Sequence, residues 1–286
     1  NVEEIYAAYL EGTLDPVSYQ GKLYGVPLEI TNWCIFVNTR YTKALGLDFE
    51  NNYPKTWEEL MEVSDKLTLR NGEIITRRGF DFRYPYYLTI FTPMVEQMGG
   101  YLLNKEGTEA IINPQAWVEV LTFMKEWGPS GRNLGSPTYT AARKNWNKDD
   151  GSIVMIESGL YQILRLKAEN PELYESKEWM VIPWPVFENA VNHVKGNYYG
   201  HYYVVNAQSS PEKQEWAWKL IAYMLKHTGE YFEEVGLIQP TYELMESEVF
   251  KNFPYANVFM EDVSQAGCVL LHQAGPRLEQ LIREAV

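Results

Sequence analysis

The sequence predicts an α/β fold built from two lobes. Short apolar runs alternate with amphipathic segments along the chain, a pattern typical of α/β architectures with buried, largely parallel sheets. The 286 residues correspond to two domains of roughly 150 residues each. Apolar residues make up 45% of the chain and charged residues 22%, which are proportions of a folded protein rather than of a disordered chain, a collagen or a coiled coil.

Three helices are predicted by their N-terminal signals. Thr56 and Glu59 form a capping-box pattern ahead of an apolar stripe that ends at Leu67. The pairs Asn113-Pro114 and Ser210-Pro211 each combine a cap with a first-turn proline. The helix after Ser210 is predicted to bury one face and to end before Gly229; that face consists of Ala217, Leu220, Ile221, Met224 and Leu225.

Strands are predicted at 33–37, 153–156, 179–182 and 202–205, where apolar and aromatic residues are concentrated. The segments 80–93 and 183–200 are rich in Tyr, Pro, Gly and Asn and have little regular period. In α/β proteins such loops gather at the carboxyl ends of strands, where ligands bind.

Charge and hydropathy exclude several classes of function. The chain has 38 acidic and 25 basic residues, a net charge of −13, so it would repel nucleic-acid phosphates and accept a neutral or cationic ligand more easily. No apolar run approaches the roughly 18 residues of a membrane span, and no signal peptide is visible at Asn1. We therefore expect a soluble and already processed chain.

Cysteine and histidine are too scarce to support metal or thiol chemistry. Cys34 and Cys268 have no C-x-x-C or zinc-like spacing, and we expect both to be small buried residues rather than a disulfide or a catalytic thiol. The four histidines form no H-x-x-x-H pair. The sequence thus predicts neither a metal nor a cofactor.

The segment 21–40 carries the first candidate ligand residues. A glycine-punctuated turn leads to Glu29, Asn32 and Trp33 at the start of a buried strand. A carboxylate and an amide can meet sugar hydroxyls, while an indole stacks on the apolar face of a pyranose. The alternative, that Trp33 is simply a core residue, is equally compatible with the sequence.

A series of short motifs covers nearly the whole chain in a recognisable order. They are GKLYGVP at 21–27, a strand ending at Asn38, ALGLD at 44–48, PKTWEEL at 54–60, QMGG at 97–100, DGSIVM at 150–155, SGLY at 158–161, PWP at 183–185 and AWK at 217–219. With these motifs the sequence resembles the extracellular solute-binding proteins of ATP-driven sugar importers, the family that includes maltose-binding protein.

The resemblance implies a type II periplasmic-binding-protein-like fold, with two α/β lobes, a hinge and a central cleft. The chain would cross between lobes near 29–33, 199–203 and 236–241. Residues 1–31 and 200–238 would form the amino-terminal lobe, and residues 32–199 and 239–286 the carboxyl-terminal lobe. Family members carry further strands before the 21–25 turn, so the amino-terminal lobe is expected to be incomplete.

Further ligand residues follow from the same resemblance. The stretch 79–87 contains Asp81 and Tyr84, which would face the cleft; alternatively Asp81 forms a weak surface ion pair with Arg83. Tyr161 occupies the position where relatives present a sugar-stacking tryptophan, with core packing as the alternative. Trp184 lies between two prolines, which would hold its indole rigidly for a ligand.

The uncharged run 196–203 supplies the last group of candidates. Its two glycines would let the backbone approach a ligand, and Tyr198, Tyr199 and His201 would line a crossing between the lobes. His201 could instead be a purely structural hydrogen-bonding group. Gln239 fits the third crossing, where relatives often place a polar group.

The leading hypothesis is a monomeric carbohydrate-binding component of an ABC transporter. It would trap a sugar or oligosaccharide by hinge closure and pass it to permease subunits, in the periplasm or at the cell surface as a lipoprotein. One alternative is a glycoside hydrolase, which needs two carboxylates about 5 to 10 Å apart, with Glu29 and Asp81 as the available acids. Another is a sensor or interaction protein with a degenerate cleft.

Overall fold

The computed structural model describes residues 2–82, 87–104 and 108–268, together with positions 277, 280, 281 and 284. Contacts divide the chain into two compact units. Unit 1 contains residues 1–31, 160–165 and 199–257. Unit 2 contains residues 32–159, 166–198 and 258–286.

The described elements alternate between strands and helices. The strands are β1 (Ser18–Tyr19), β2 (Lys22–Leu23), β3 (Gly25–Thr31), β4 (Cys34–Asn38), β5 (Leu69–Asn71), β6 (Ile74–Phe80), β7 (Ile153–Ser158), β8 (Trp179–Ile182), β9 (Asn197–Val204) and β10 (Gly267–Cys268). The helices are α1 (Val2–Ala8), α2 (Thr39–Ala44), α3 (Trp57–Leu67), α4 (Tyr87–Gln97), α5 (Pro114–Trp127), α6 (Ala142–Lys148), α7 (Gln162–Glu169), α8 (Pro171–Ser176), α9 (Pro211–Met224), α10 (Thr228–Val235), α11 (Tyr242–Glu246), α12 (Glu248–Lys251) and α13 (Ala256–Val263).

Unit 2 is built on a five-stranded sheet with the order β5-β6-β7-β4-β8. Only β6 and β7 pair in parallel, while the other neighbours are antiparallel. The expectation of largely parallel sheets was therefore wrong. Every residue of β4 and β7 is buried, so their continuous apolar character reflects covering of both sheet faces, which does not by itself require parallel pairing.

The capping signals located the helix starts. Thr56 Oγ1 accepts a hydrogen bond from the Glu59 amide at 3.1 Å, and the Glu59 carboxylate accepts one from the Thr56 amide at 3.2 Å, so the predicted capping box is complete. Asn113 and Ser210 cap α5 and α9 through their side chains. Each of these caps satisfies an amide of the first helical turn.

The predicted buried face of α9 was wrong. Only Ile221 is buried, whereas Leu220 and Met224 are exposed. Among the described residues the core beneath α9 is small: the buried members of its cluster are Tyr9, Leu14, Val26 and Ile221. The residue after α9 is Leu225, and Gly229 lies inside α10.

The sheet of unit 1 joins β3 to β9 in antiparallel register, from Gly25 opposite Val204 to Thr31 opposite Tyr199. The register shifts between Pro27 and Glu29, which marks a β-bulge. On the other side of β3, the Ile30 amide donates to the Ile238 carbonyl at 2.8 Å. The first two residues of β9 belong to unit 2, where they pair in parallel with β10.

The contacts place the units' boundaries at 31/32 and 198/199, close to two boundaries expected from the sequence. They differ at residues 239–257, which were assigned to the carboxyl-terminal lobe but belong to unit 1. The reason is local packing: Thr241 bridges to Tyr9, and the Phe250 ring lies 5.3 Å from that of Phe232. Residues 160–165, which were also assigned to the carboxyl-terminal lobe, belong to unit 1 as well.

Cys34 is buried and free, as expected of a small core residue. The Cys268 side chain and His272 lie outside the described residues. The longest described helices, α5 and α9, have 14 residues each, and no helix in the described part of the chain is long and apolar enough to cross a membrane.

Candidate functional site

Glu29 and His201 form a polar pair on the β3–β9 ladder of unit 1. The bulge after Pro27 and the absence of a side chain at Gly200 allow this close packing, because a Cβ at Gly200 would lie 2.3 Å from the Glu29 carbonyl oxygen. The carboxylate of Glu29 is fully buried, and its Oε1 is hydrogen-bonded to Nδ1 of His201, whose side chain is 73% exposed. A buried acid is thus joined to an exposed imidazole.

Burial dominates the proton affinity of Glu29. Removal of the Glu29 carboxyl from water raises its pKa, and the hydrogen bond and charge of His201 offset part of that rise. Glu29 Oε2 has no partner among the described residues. Within the pair, His201 offers the atoms that are open to solvent.

Gln239 is held in the interior of unit 1. Its Nε2 donates to the Tyr9 hydroxyl at 3.1 Å, and that hydroxyl donates to the Pro27 carbonyl at 3.1 Å. Burial raises the pKa of Tyr9 to about 12, so the hydroxyl keeps its proton at neutral pH. This chain of bonds ties the 239–241 segment to β3.

Tyr161 and Tyr199 are the partly exposed aromatic candidates of unit 1. Tyr161 precedes α7, and the Arg165 guanidinium lies 5.6 Å from the centre of its ring. Gly236 has a positive φ of 67°, and a Cβ there would lie 3.1 Å from the Tyr161 Cα. Gly236 therefore lets two segments of unit 1 approach closely.

Asn32 and Trp33 are buried in unit 2, where the candidate role in ligand binding is not supported. The Asn32 side chain donates to the Phe259 carbonyl at 3.1 Å, so its amide fixes α13. Trp33 is nearly inaccessible to solvent. Of the two interpretations of Trp33, its placement favours the core residue.

Trp184 is also a core residue, and its expected rigid presentation to a ligand is corrected. The side chain is 1% exposed and meets Trp57 edge-on at 5.2 Å. Its amide donates to Asp262 Oδ2 at 2.6 Å, and Lys195 Nζ donates to its carbonyl at 2.9 Å. These contacts fix Trp184 in the packed interior of unit 2.

Asp81 is buried, whereas the sequence predicted either a position facing the cleft or a surface ion pair. Among the described residues it pairs with Arg78: Arg78 Nε donates to Oδ2 at 2.9 Å, and the Ser136 amide donates to the same oxygen at 3.2 Å. Burial raises the pKa of Asp81 to about 7 although Arg78 lowers it. Arg83 and Tyr84 lie outside the described residues.

Tyr198 is half-buried in unit 2, in register with Cys268 on β10. The candidates thus separate into two groups. Glu29, Tyr161, Tyr199, His201 and Gln239 lie in unit 1, whereas the remaining described candidates lie in unit 2. Within unit 1, the structure brings Glu29 and His201 together.

Sequence reasoning missed two polar residues that organise unit 2. Gln97 is fully buried: its side chain accepts from Trp57 Nε1 at 3.2 Å and donates to the Pro185 carbonyl at 3.0 Å. Asp262 accepts from the Trp184 amide and from Cys34 Sγ, and burial raises its pKa to about 6. In the sequence, Gln97 is part of the QMGG motif, and Asp262 is part of no motif that would indicate its role. In the described part of the chain, no group of three or more His, Cys, Asp or Glu is placed to hold a metal ion.

A family model covers most of the chain. Residues 2–252 match the family of bacterial extracellular solute-binding proteins, and the chain belongs to that family. By its description, this family consists of extracellular proteins that bind solutes. The resemblance found in the sequence is thereby confirmed.

Among curated relatives, a candidate binding protein of Brucella abortus (strain 2308) is 23% identical over 229 residues, which cover 78% of this chain and 52% of the relative. A protein of Brucella suis biovar 1 (strain 1330), named in the same way, matches to the same extent. The chain therefore spans about half the length of the curated relatives that it matches.

Solved structures support the fold class. An ABC transporter solute-binding protein of Thermotoga lettingae with bound α-D-tagatose has a TM-score of 0.79 at 18% identity, over 98% of this chain and 72% of that protein. Maltose-bound MalE3 of T. maritima gives 0.81 at 20% identity, over 96% and 70%. UgpB of Mycobacterium tuberculosis with glycerophosphocholine gives 0.77 at 15%, over 99% and 70%. The predicted type II periplasmic-binding-protein fold is confirmed.

Proposed function

We propose that this protein is the carbohydrate-binding component of an ABC transporter. The observation that carries the proposal is the family match over residues 2–252. It is supported by similar folds that hold tagatose and maltose. The net charge of −13 also favours a neutral solute over an anion.

The residues proposed to contact the sugar are Tyr161, Tyr198, Tyr199 and His201. Each is at least partly exposed, and tyrosine combines a ring for the apolar face of a sugar with a hydroxyl for hydrogen bonding. His201 would offer a ring nitrogen while Glu29 orients its imidazole. Tyr84, which lies outside the described residues, stays a candidate from the sequence alone.

A hydrolase is the weaker interpretation because its two candidate acids already have structural partners. Glu29 is bonded to His201, and Asp81 is buried against Arg78. A general acid or nucleophile must reach the scissile bond, whereas the Asp81 side chain is wholly inaccessible to solvent. A sensor with a degenerate site remains the other alternative.

Isothermal titration calorimetry with maltose, α-D-tagatose and glycerophosphocholine would test the proposal, alongside an assay of reducing-sugar release. Sugar binding without release supports it. Release of reducing ends would indicate a hydrolase. Binding of glycerophosphocholine alone would contradict a carbohydrate ligand. Absence of binding by all three compounds would contradict a transport role.

The Tyr161→Ala variant tests the site itself. We expect a loss of about 1 to 3 kcal/mol of sugar-binding free energy, because a stacking ring is removed. Tyr242→Ala is the matched control, since Tyr242 is an exposed tyrosine elsewhere in unit 1. Equal affinities for both variants and the parent would exclude Tyr161 from the site.

The proposed partners are a sugar or oligosaccharide and the permease subunits of the transporter, and the proposed state is a monomer. A lipid anchor at the cell surface is part of the same proposal. Co-purification with membranes after expression of the native gene, and its loss when the lipid-modified residue is replaced, would test the anchor.

A further inference from the structure

The pair of Glu29 and His201 has one buried end and one solvent-facing end. The two residues lie directly opposite each other on the β3–β9 ladder. Oε1 of the fully buried Glu29 carboxylate is hydrogen-bonded to Nδ1 of an imidazole whose side chain is 73% exposed. Because Nδ1 is the ring nitrogen held by the buried carboxylate, Nε2 is the ring nitrogen that a ligand in solution can reach.

The positions of the protons identify the atom of the pair that titrates. Oε1 and Nδ1 hold one hydrogen between them, since they are hydrogen-bonded. A second proton on Oε2 of Glu29 would be buried and unpaired, because Oε2 is buried and has no partner among the described residues. The second proton therefore resides on Nε2 of His201, where water or a ligand can accept its hydrogen bond.

Loss of one proton leaves a single favourable arrangement. In that arrangement Nδ1–H of His201 donates to the Glu29 carboxylate, and Nε2 has a bare lone pair. The opposite tautomer would place a buried carboxylate against the lone pair of Nδ1, which is unfavourable because a buried charge needs a donor. The hydrogen bond at one ring nitrogen thus decides the protonation of the other.

Neighbouring titratable groups do not change this count. Tyr231 of α10 faces the Glu29 carboxylate, and Tyr203 of β9 lies near Tyr231. Burial raises the pKa of both hydroxyls above the ordinary value of 10, so both stay neutral at physiological pH. Among the described residues, the carboxylate and the imidazole therefore titrate as one unit.

We propose that Glu29 is a positioning residue that makes Nε2 of His201 a hydrogen-bond donor at low pH and an acceptor at high pH. For its ligand, this inference rests on the carbohydrate function proposed above. A sugar hydroxyl can accept from Nε2–H or donate to the bare nitrogen, so the contact persists in both states. The bond from the protonated ring is charge-assisted and stronger, and sugar affinity should therefore be higher at low pH.

Ring-nitrogen NMR of the full chain, labelled with ¹⁵N-histidine, tests the positioning role without a ligand. The spectra are recorded between about pH 5 and pH 8, where imidazole changes its charge, and loss of signals in His201→Gln identifies His201. At the high end of this range we expect His201 to carry its hydrogen on Nδ1 and to have a bare Nε2. A His201 that keeps its hydrogen on Nε2 would overturn the proposal.

His227 is the control within the same sample. Its Nδ1 lies 3.4 Å from Oε1 of Glu230, but that carboxylate is 79% exposed, so water can replace the histidine as its donor. The hydrogen of neutral His227 should therefore be distributed over both ring nitrogens. The same distribution in His201 would show that the buried carboxylate exerts no control, which also overturns the proposal.

The Glu29→Met variant tests whether the carboxylate is the cause. Methionine fills the buried space without an acceptor, so the hydrogen of neutral His201 should spread over both ring nitrogens. Glu230→Met is the matched control, because it removes the exposed carboxylate beside His227 and should leave the His201 tautomer unchanged. Persistence of the Nδ1–H form in Glu29→Met would refute the role of Glu29. If that variant fails to fold, the spectrum of the parent still decides the tautomer.

Calorimetry with maltose and α-D-tagatose over the same pH range tests whether the change reaches the ligand. For the parent we expect affinity to fall about fivefold as pH rises, because a charge-assisted hydrogen bond becomes a neutral one. His201→Gln should lack this fall. A pH-independent affinity in the parent, or an equal fall in His201→Gln, would overturn the link to the ligand. Absence of sugar binding at every pH would contradict the carbohydrate function, whereas the NMR measurement would still decide the positioning role.

Discussion

Replacement of Asp81 by Asn should change how the stability of unit 2 depends on pH. Arg78 and the Ser136 amide both donate to Oδ2 of Asp81, and Oδ1 has no partner among the described residues. A Cβ at Gly135 would lie 2.2 Å from Oδ1, which shows how tightly the carboxyl is enclosed. Loss of hydration therefore dominates, and the pKa of Asp81 rises from 3.8 to about 7.

The direction of the effect follows from proton binding. Because the folded chain holds the Asp81 proton more tightly than the unfolded chain, the free energy of unfolding decreases as pH rises from about 4 to about 7. The rise in pKa is about 3 units, and each unit corresponds to about 1.4 kcal/mol, so Asp81 would account for roughly 4 kcal/mol. Asparagine does not titrate and should lack this contribution.

The assay is urea unfolding followed by tryptophan fluorescence between pH 4.5 and pH 8.5. Across this pH range the parent should lose most of that roughly 4 kcal/mol of unfolding free energy relative to Asp81→Asn, so the parent is at its greatest disadvantage at high pH. Asp65→Asn removes a carboxylate that is 44% exposed and paired to Arg70, so its difference from the parent should stay nearly constant. A constant difference for Asp81→Asn as well, or one that favours the parent at high pH, would refute the reasoning.

Two further predictions concern packing. Trp184→Ala should lower the free energy of unfolding by about 3 to 5 kcal/mol, because it leaves a cavity at a buried site. Trp218→Ala is the control, since Trp218 is 41% exposed, and it should lower the free energy of unfolding much less in the same urea titration. Similar losses in the two variants would contradict the assignment of Trp184 to the core. Gly200→Ala should destabilise unit 1 by about 1 to 3 kcal/mol, because its Cβ would meet the Glu29 carbonyl. Gly229→Ala, with open space around it, should be neutral or stabilising in thermal unfolding.

Local signals in the sequence predicted local structure well. The caps at Thr56, Asn113 and Ser210 all begin helices, since a cap depends on residues within one turn. The strand at 179–182 has the predicted bounds. The predicted strand at 202–205 proved to begin earlier, at Asn197, because its Tyr- and Gly-rich start has no apolar alternation.

Features that depend on distant partners were not predictable. Trp184 is buried because Trp57 and Asp262, far away in sequence, surround it. The prolines on either side of Trp184 indicate a rigid backbone, but they do not indicate where the ring packs. Likewise, the apolar residues of α9 at Leu220 and Met224 fit a buried helical face by spacing, but the core of unit 1 covers only Ile221.

The candidate site shows the same division. Sequence chemistry identified Glu29 and His201 individually, and their pairing required the register of β3 against β9. A polar residue aimed at a ligand and one aimed at a backbone carbonyl look alike in a single sequence, as Asn32 demonstrates.

The residue between Pro27 and Glu29 has no counterpart on β9, because their partners Tyr202 and His201 are adjacent in sequence. Loss of that one residue would straighten β3 and leave Glu29 opposite His201. Homologues that lack this residue should therefore retain the acid and the imidazole as a pair, whereas the local bend of the strand should be absent from them.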